Sequence, residues 1–168
     1  MKLGVFTPVF GTLPLHEMLD RVVALGLDGI ELAAGGWPGT AHAVPEHLLS
    51  DPARLATFRK ELTVRNLEVL AVSVHGNPLH PNADTADRYH RDWRAALDFA
   101  ARLEVQTVVT FAGCPGGAAG DSVPNWITAV WPPEFLTALD WQWNERVIPY
   151  WQREAEHLRG LGLRAALE

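Results

Sequence analysis

Apolar residues fall along this chain in two alternating rhythms. Short runs rich in β-forming residues occupy positions 3–7, 29–32, 67–74, 105–111 and 163–168. Between them, apolar residues recur at spacings of three and four. Leu15, Met18, Leu19, Val22, Val23 and Leu25 form the first such stripe; Leu55, Phe58 and Leu62 form the second. Tyr89, Trp93, Ala96, Leu97 and Ala100 mark a helix over 85–103, and Val147, Trp151, Ala155 and Leu158 mark one over 141–160. The first rhythm suits buried strands and the second suits amphipathic helices. The second helix has its own start signal: Ser50 or Asp51 as N-cap, with Pro52 in the first turn.

Strict alternation of five strands with four helices predicts βαβ units, a parallel sheet and right-handed crossovers. The fold class is α/β, a single domain over residues 1–168. Helix-to-strand connections are short: 26–28, 65–66, 104 and 160–162. Two strand-to-helix connections are long, 33–49 and 113–140. Long connections in a compact domain usually carry function, and these lie where α/β proteins place their sites, at the C-terminal ends of strands. The second is not the composition of a disordered segment, since it holds Trp126 and Trp131 among prolines and runs on to Trp141 and Trp143.

Composition narrows the class. Hydrophobic residues make up 48% and charged residues 20%, as in ordinary globular domains. A formal net charge of −6 and the lack of any Lys/Arg run argue against a nucleic-acid partner. No stretch approaches the roughly 20 apolar residues of a membrane span, and the N-terminus has no signal-peptide pattern. A cytoplasmic protein without a membrane partner is the expectation. Cys114 is the single cysteine, so no intrachain disulfide can form.

Each apolar run closes on a polar residue: Thr7, Glu31, His75, Thr110 and Glu168. Ionisable side chains at buried strand ends are costly unless paired or used. Glu31 suits a substrate hydroxyl, a nearby metal or a salt bridge. His75 suits a sugar oxygen, a proton transfer, a metal or a structural hydrogen bond. His80 lies deeper in its loop, as a cap. Residues 113–117, Gly-Cys-Pro-Gly-Gly, form either a plain turn or a backbone cradle for an anion such as phosphate. Cys114 has no evident base partner, so it is read there as a binding-loop residue, not a nucleophile.

Several of these segments resemble one family. Residues 27–32, LDGIEL, resemble the second strand of the xylose-isomerase-like TIM barrels. Residues 72–81, VSVHGNPLHP, and 110–133, TFAGCPGGAAGDSVPNWITAVWPP, resemble the third and fourth strand ends of the sugar phosphate isomerase/epimerase branch. Residues 164–168, RAALE, resemble the fifth strand, whose glutamate binds metal in that family. The resemblance implies a partial (β/α)8 barrel, apparently truncated after strand five. It implies a small carbohydrate or sugar phosphate as substrate, with Glu31, His75, Cys114 and the apolar wall of Trp126 around it. It makes Glu168 one ligand of a divalent ion (Mn, Mg, Zn or Co) that assists proton transfer next to a sugar carbonyl. The remaining ligands come from later strands in the family, so a chain with Glu168 alone is expected to be inactive. A non-catalytic half-barrel that self-associates through its open edge strands is the second expectation. A metal-dependent phosphodiesterase of the same superfamily is the third, disfavoured by the acidic charge.

Overall fold

The computed structural model describes residues 1–168. Its five strands lie in a single parallel sheet in chain order: β1 (Gly4–Phe6), β2 (Gly29–Gly36), β3 (Glu68–His75), β4 (Thr107–Thr110) and β5 (Arg164–Leu167). Every crossover packs helix onto the same face, giving an arc of a barrel. The connecting helices are α1 (Leu15–Ala24), α2 (Pro45–Ser50), α3 (Pro52–Thr63), α4 (Ala83–Leu103), α5 (Glu134–Trp141) and α6 (Ile148–Leu161). A short 3-10 turn, Thr7–Phe10, follows β1, and a π-helical segment, Gln142–Val147, joins α5 to α6. No helix is long and apolar enough to cross a membrane.

Side-chain alternation sorts each strand into two faces. Ile30, Leu32, Val72, Val74 and Val108 point to the helices and form one core with Met18, Leu19, Phe58, Trp93, Leu97 and Phe99. Their neighbours Glu31, Ala33, Ala71, Ser73 and His75 point to the concave face. The short helix-to-strand connections turn on residues with positive φ: Gly26, Asn66, Glu104 and Gly162. Asp51, not Ser50, caps α3, accepting from the N–H groups of Ala53 and Arg54.

Three expectations shift. The stripe of α1 is narrower than its apolar pattern, because Val23 and Leu25 are exposed while Met18, Leu19 and Val22 are buried. The connection 33–49 is not all loop; β2 runs on to Gly36 and α2 fills its end. In α6 the inward residue is Glu154 and not Ala155, which is exposed. The Glu154 carboxylate is buried because it is fully used: it accepts from Trp93 Nε1 at 2.7 Å and from Arg94 Nη2 at 2.9 Å.

Beside that network, Tyr150 Oη lies 3.1 Å from His90 Nδ1. Burial, with the nearby Glu154 charge, pushes the Tyr150 phenol far above its ordinary value, so it stays protonated and donates to the imidazole. Burial holds His90 below the ordinary histidine value; the charge of Glu154 opposes this and that of Arg94 adds to it. The unfolded chain therefore takes up this proton first as pH falls. Stability tied to neutral His90 is complete above about pH 6.5 and is lost as pH drops through the lower folded-state value. Urea midpoints should fall between about pH 7.5 and 5.5, and His90→Gln should flatten that slope; a slope unchanged by the substitution would exclude His90 as its source.

Candidate functional site

The polar strand ends do meet on one rim, and most of them stitch neighbouring strands together. Thr7 Oγ1 accepts from the Ala33 N–H at 3.0 Å, and Thr110 Oγ1 donates to the Val74 carbonyl at 2.9 Å. The Ser73 hydroxyl donates to Glu31, tying β2 to β3. His75 reaches across β4 to β5, with Nε2 2.9 Å from Glu168 Oε2. A carboxylate can only accept, so Nε2 carries the proton and Nδ1 of a neutral ring holds the lone pair. His75 is only 4% exposed, and its Nδ1 is buried without a partner. Phe6 and Phe111 pack on the imidazole with ring centroids 5.7 Å and 4.6 Å away.

This pair opens into a cavity of about 350 Å³ at the C-terminal ends of the strands. Its walls are Trp37, Tyr89, Phe111 and Trp126, with Asn77, Cys114 and the backbone of residues 76 and 112–113 completing the lining. Trp37 arrives there through a tight crossing. Gly36 has φ +68°, and a Cβ on it would lie 2.2 Å from the His75 carbonyl oxygen, so only glycine fits. The Trp37 N–H then donates to that same carbonyl at 2.6 Å. Asp92 on α4 accepts from the Gly36 N–H at 3.2 Å.

The long connection after β4 is held by two amide side chains. Asn77 donates from Nδ2 to the Cys114 carbonyl at 2.7 Å, while its Oδ1 accepts from the N–H groups of Cys114 at 2.8 Å and Leu79 at 3.2 Å. Gln142 is fully buried; its Nε2 donates to the carbonyls of Gly116 and Asn125, and its Oε1 accepts from the Ile127 N–H. Trp126 stacks on Trp143 with centroids 5.6 Å apart. The connection is therefore ordered by buried and half-buried hydrogen bonds, and it includes α5.

The glycine-rich turn holds an anion of its own. The N–H groups of Gly117 and Ala118 both donate to Asp121 Oδ2, at 2.7 Å and 3.2 Å. Of the residues singled out from the sequence, His75, Cys114, Trp126 and Glu168 come together around the cavity. Glu31 lies outside its lining, with its carboxylate on Ser73. His80 accepts from the Asn82 N–H through Nδ1, as a loop cap does. Trp37, Asn77, Tyr89 and Phe111 also line the cavity, although the sequence pattern marks none of them for a site and places Tyr89 on a buried helix stripe. Gly35-Gly36 at the end of a strand was the available signal for a close backbone crossing beside Trp37.

Burial raises the Cys114 thiol above its ordinary value, so thiol reagents should react with it slowly. Asn77→Ala removes the clamp on Cys114 and should accelerate its reaction with Ellman's reagent by about tenfold, given that a lost buried hydrogen bond is worth roughly 1–3 kcal/mol. An unchanged rate would show that Asn77 does not hold this turn closed.

Residues 19–168 match the family described as xylose isomerase-like TIM barrel. An uncharacterized protein of Bacillus subtilis (strain 168), YfiH, is 35% identical over 172 aligned residues, which cover 100% of this chain and 54% of that protein. Among solved structures, the probable 3-DHS dehydratase AsbF of Bacillus anthracis, involved in petrobactin synthesis, superposes with a TM-score of 0.62 at 16% identity, covering 99% of this chain and 52% of its own. A xylose isomerase-like protein of Mycobacterium smegmatis in complex with magnesium gives 0.58 at 16% identity, with 99% and 54% covered. A D-psicose 3-epimerase in the presence of D-fructose gives 0.56 at 18% identity, with 99% and 52% covered. The chain thus spans about half the length of the proteins it matches. With the family matched over all but its first residues, and five parallel strands forming an arc of the barrel, this chain belongs to the xylose isomerase-like TIM barrels.

Proposed function

We propose that these residues form the carbohydrate-binding part of a sugar isomerase or epimerase, whose reaction moves a proton next to a sugar carbonyl. The observation that carries this reading is the His75–Glu168 pair at the mouth of an aromatic-walled cavity on the C-terminal rim of the strands. Aromatic faces suit the C–H faces of a sugar, and a carboxylate and an imidazole suit its hydroxyls. A solved structure of the same fold, the D-psicose 3-epimerase, was obtained in the presence of D-fructose, which supports a carbohydrate ligand. In this assignment His75 fixes the orientation of Glu168, and Glu168 accepts from a sugar hydroxyl or takes its proton.

The metal that the family implies does not fit the residues present. No group of three His, Cys, Asp or Glu side chains gathers anywhere in the 168 residues, and Glu168 has His75 alone beside it. A divalent ion in defined geometry needs further oxygen or nitrogen ligands.

The test uses D-fructose in D2O with added Mn2+. The 168-residue chain should bind the sugar, read by tryptophan fluorescence, and show no deuterium incorporation beside the carbonyl by NMR. Glu168→Gln should weaken binding by about tenfold, roughly 1.4 kcal/mol. Absence of any binding would remove the carbohydrate reading, and metal-dependent exchange would remove the inactivity.

A second reading rests on a different observation. β1 and β5 are the outer strands of the sheet, and each pairs on one side only. Unpaired strand edges recruit further strands. Two copies closing on one another would cover both edges, and light scattering at micromolar concentration should then report twice the 18.5 kDa chain mass. A single species at the chain mass would exclude this pairing.

A further inference from the structure

A second cavity, of about 220 Å³, shares no lining residue with the aromatic-walled one. The glycine-rich turn divides them: residues 112–114 line the first, and residues 116 and 118–121 line the second. The apolar surface of the second comes from Leu79, Pro81 and the Trp141 indole, and its charged side chains are Asp121 and Arg146.

Asp121 is held in a fixed pose. Its Oδ2 accepts from the N–H groups of Gly117 at 2.7 Å and Ala118 at 3.2 Å. Its Cβ packs on Gly116 so closely that a Cβ on that glycine would lie 2.5 Å away. The other oxygen, Oδ1, makes no hydrogen bond within the chain and keeps its lone pairs for a donor. Arg146 comes from the π-helical segment, with its guanidinium carbon 5.9 Å from the Trp141 ring centroid. The ring face attracts the cation and favours that position. Arg146 takes part in none of the ion pairs of the chain, so its N–H fork has no carboxylate to meet. Two opposite charges thus line the same small space without pairing with each other.

A singly charged molecule brought here meets one attraction and one repulsion. An anion on Arg146 faces the Asp121 carboxylate, and a cation on Asp121 faces the guanidinium. A molecule that carries both charges satisfies both groups, with a carboxylate on the arginine fork and an ammonium on Asp121 Oδ1. Leu79, Pro81 and the Trp141 face suit an apolar body between them. We propose that this cavity binds a small zwitterion, of the class of α-amino acids with an apolar side chain. Asp121 and Arg146 are both exposed, and either ion pair alone contributes little at such a rim. A ligand carrying both charges makes the second contact intramolecular, so the two act together. The proposal is independent of the carbohydrate reading, which concerns the other cavity.

The experiment is an NMR titration of the isotope-labelled 168-residue chain at neutral pH. The probes are L-leucine and two analogues that each keep one of its charges on the same branched body, isocaproate and isoamylamine. The Gly117 and Ala118 amide peaks and the Trp141 indole peak report on the cavity. L-Leucine should move these peaks and bind about tenfold more tightly than either analogue. Asp121→Asn keeps an acceptor for the two N–H groups while removing the charge, and should erase the preference over isocaproate. Arg146→Gln should erase the preference over isoamylamine. D-Fructose should not displace L-leucine. The proposal is overturned if L-leucine leaves those peaks in place, if either analogue binds the unaltered chain as tightly, or if D-fructose displaces it. It is equally overturned if a variant whose other amide peaks are unchanged keeps its preference.

Discussion

Parallel pairing is the constraint from which the rest of this molecule follows. Each strand must run the same way as its neighbour, so each crossover must return the chain across the outer face, and the helices accumulate there. All five strand ends then arrive on one rim. Side chains that stand far apart in the chain become neighbours: His75 and Glu168, 93 positions apart, approach to 2.9 Å. The same geometry makes the rim polar at little cost. Thr7, Ser73, Glu31 and Thr110 satisfy one another or the backbone of the adjacent strand, so burial leaves few of them unpaired.

On that rim the site is finished by connections, not by strands. Three hydrogen-bonding groups, two of them buried and one half-buried, decide where the aromatic walls stand. Asn77 holds the turn that carries Cys114, Gln142 holds the stretch that carries Trp126, and the His75 carbonyl holds Trp37. None of these groups is charged, which leaves the cavity with little fixed charge apart from Glu168.

Much of the architecture was legible in the order of residues. A strand buried on both faces needs a short apolar run, and a helix covering a sheet needs a stripe at spacings of three and four. Those two demands are local, so residues such as Val72, Val108, Met18 and Leu97 reveal them directly. Convergence of His75 and Glu168 was legible too, because alternation of strands and helices implies a parallel sheet and hence a common rim. Where the reading slipped, a local pattern met a partner far away in the chain. Ala155 completes the apolar stripe of α6, yet Glu154 turns inward because Trp93 and Arg94 wait for it on α4.

What the sequence determined by itself was the fold, its five-strand extent, the rim on which chemistry collects and several of the residues there. Tertiary structure decided how those residues are engaged. Glu31 is bonded to Ser73, the glycine-rich turn is filled by Asp121, and Trp37 and Tyr89 are walls of a cavity. The physical reason is that hydrogen-bond satisfaction and cavity shape are properties of groups brought together from different elements. Periodicity is a property of one element at a time, and carries no record of which partner a polar side chain will find.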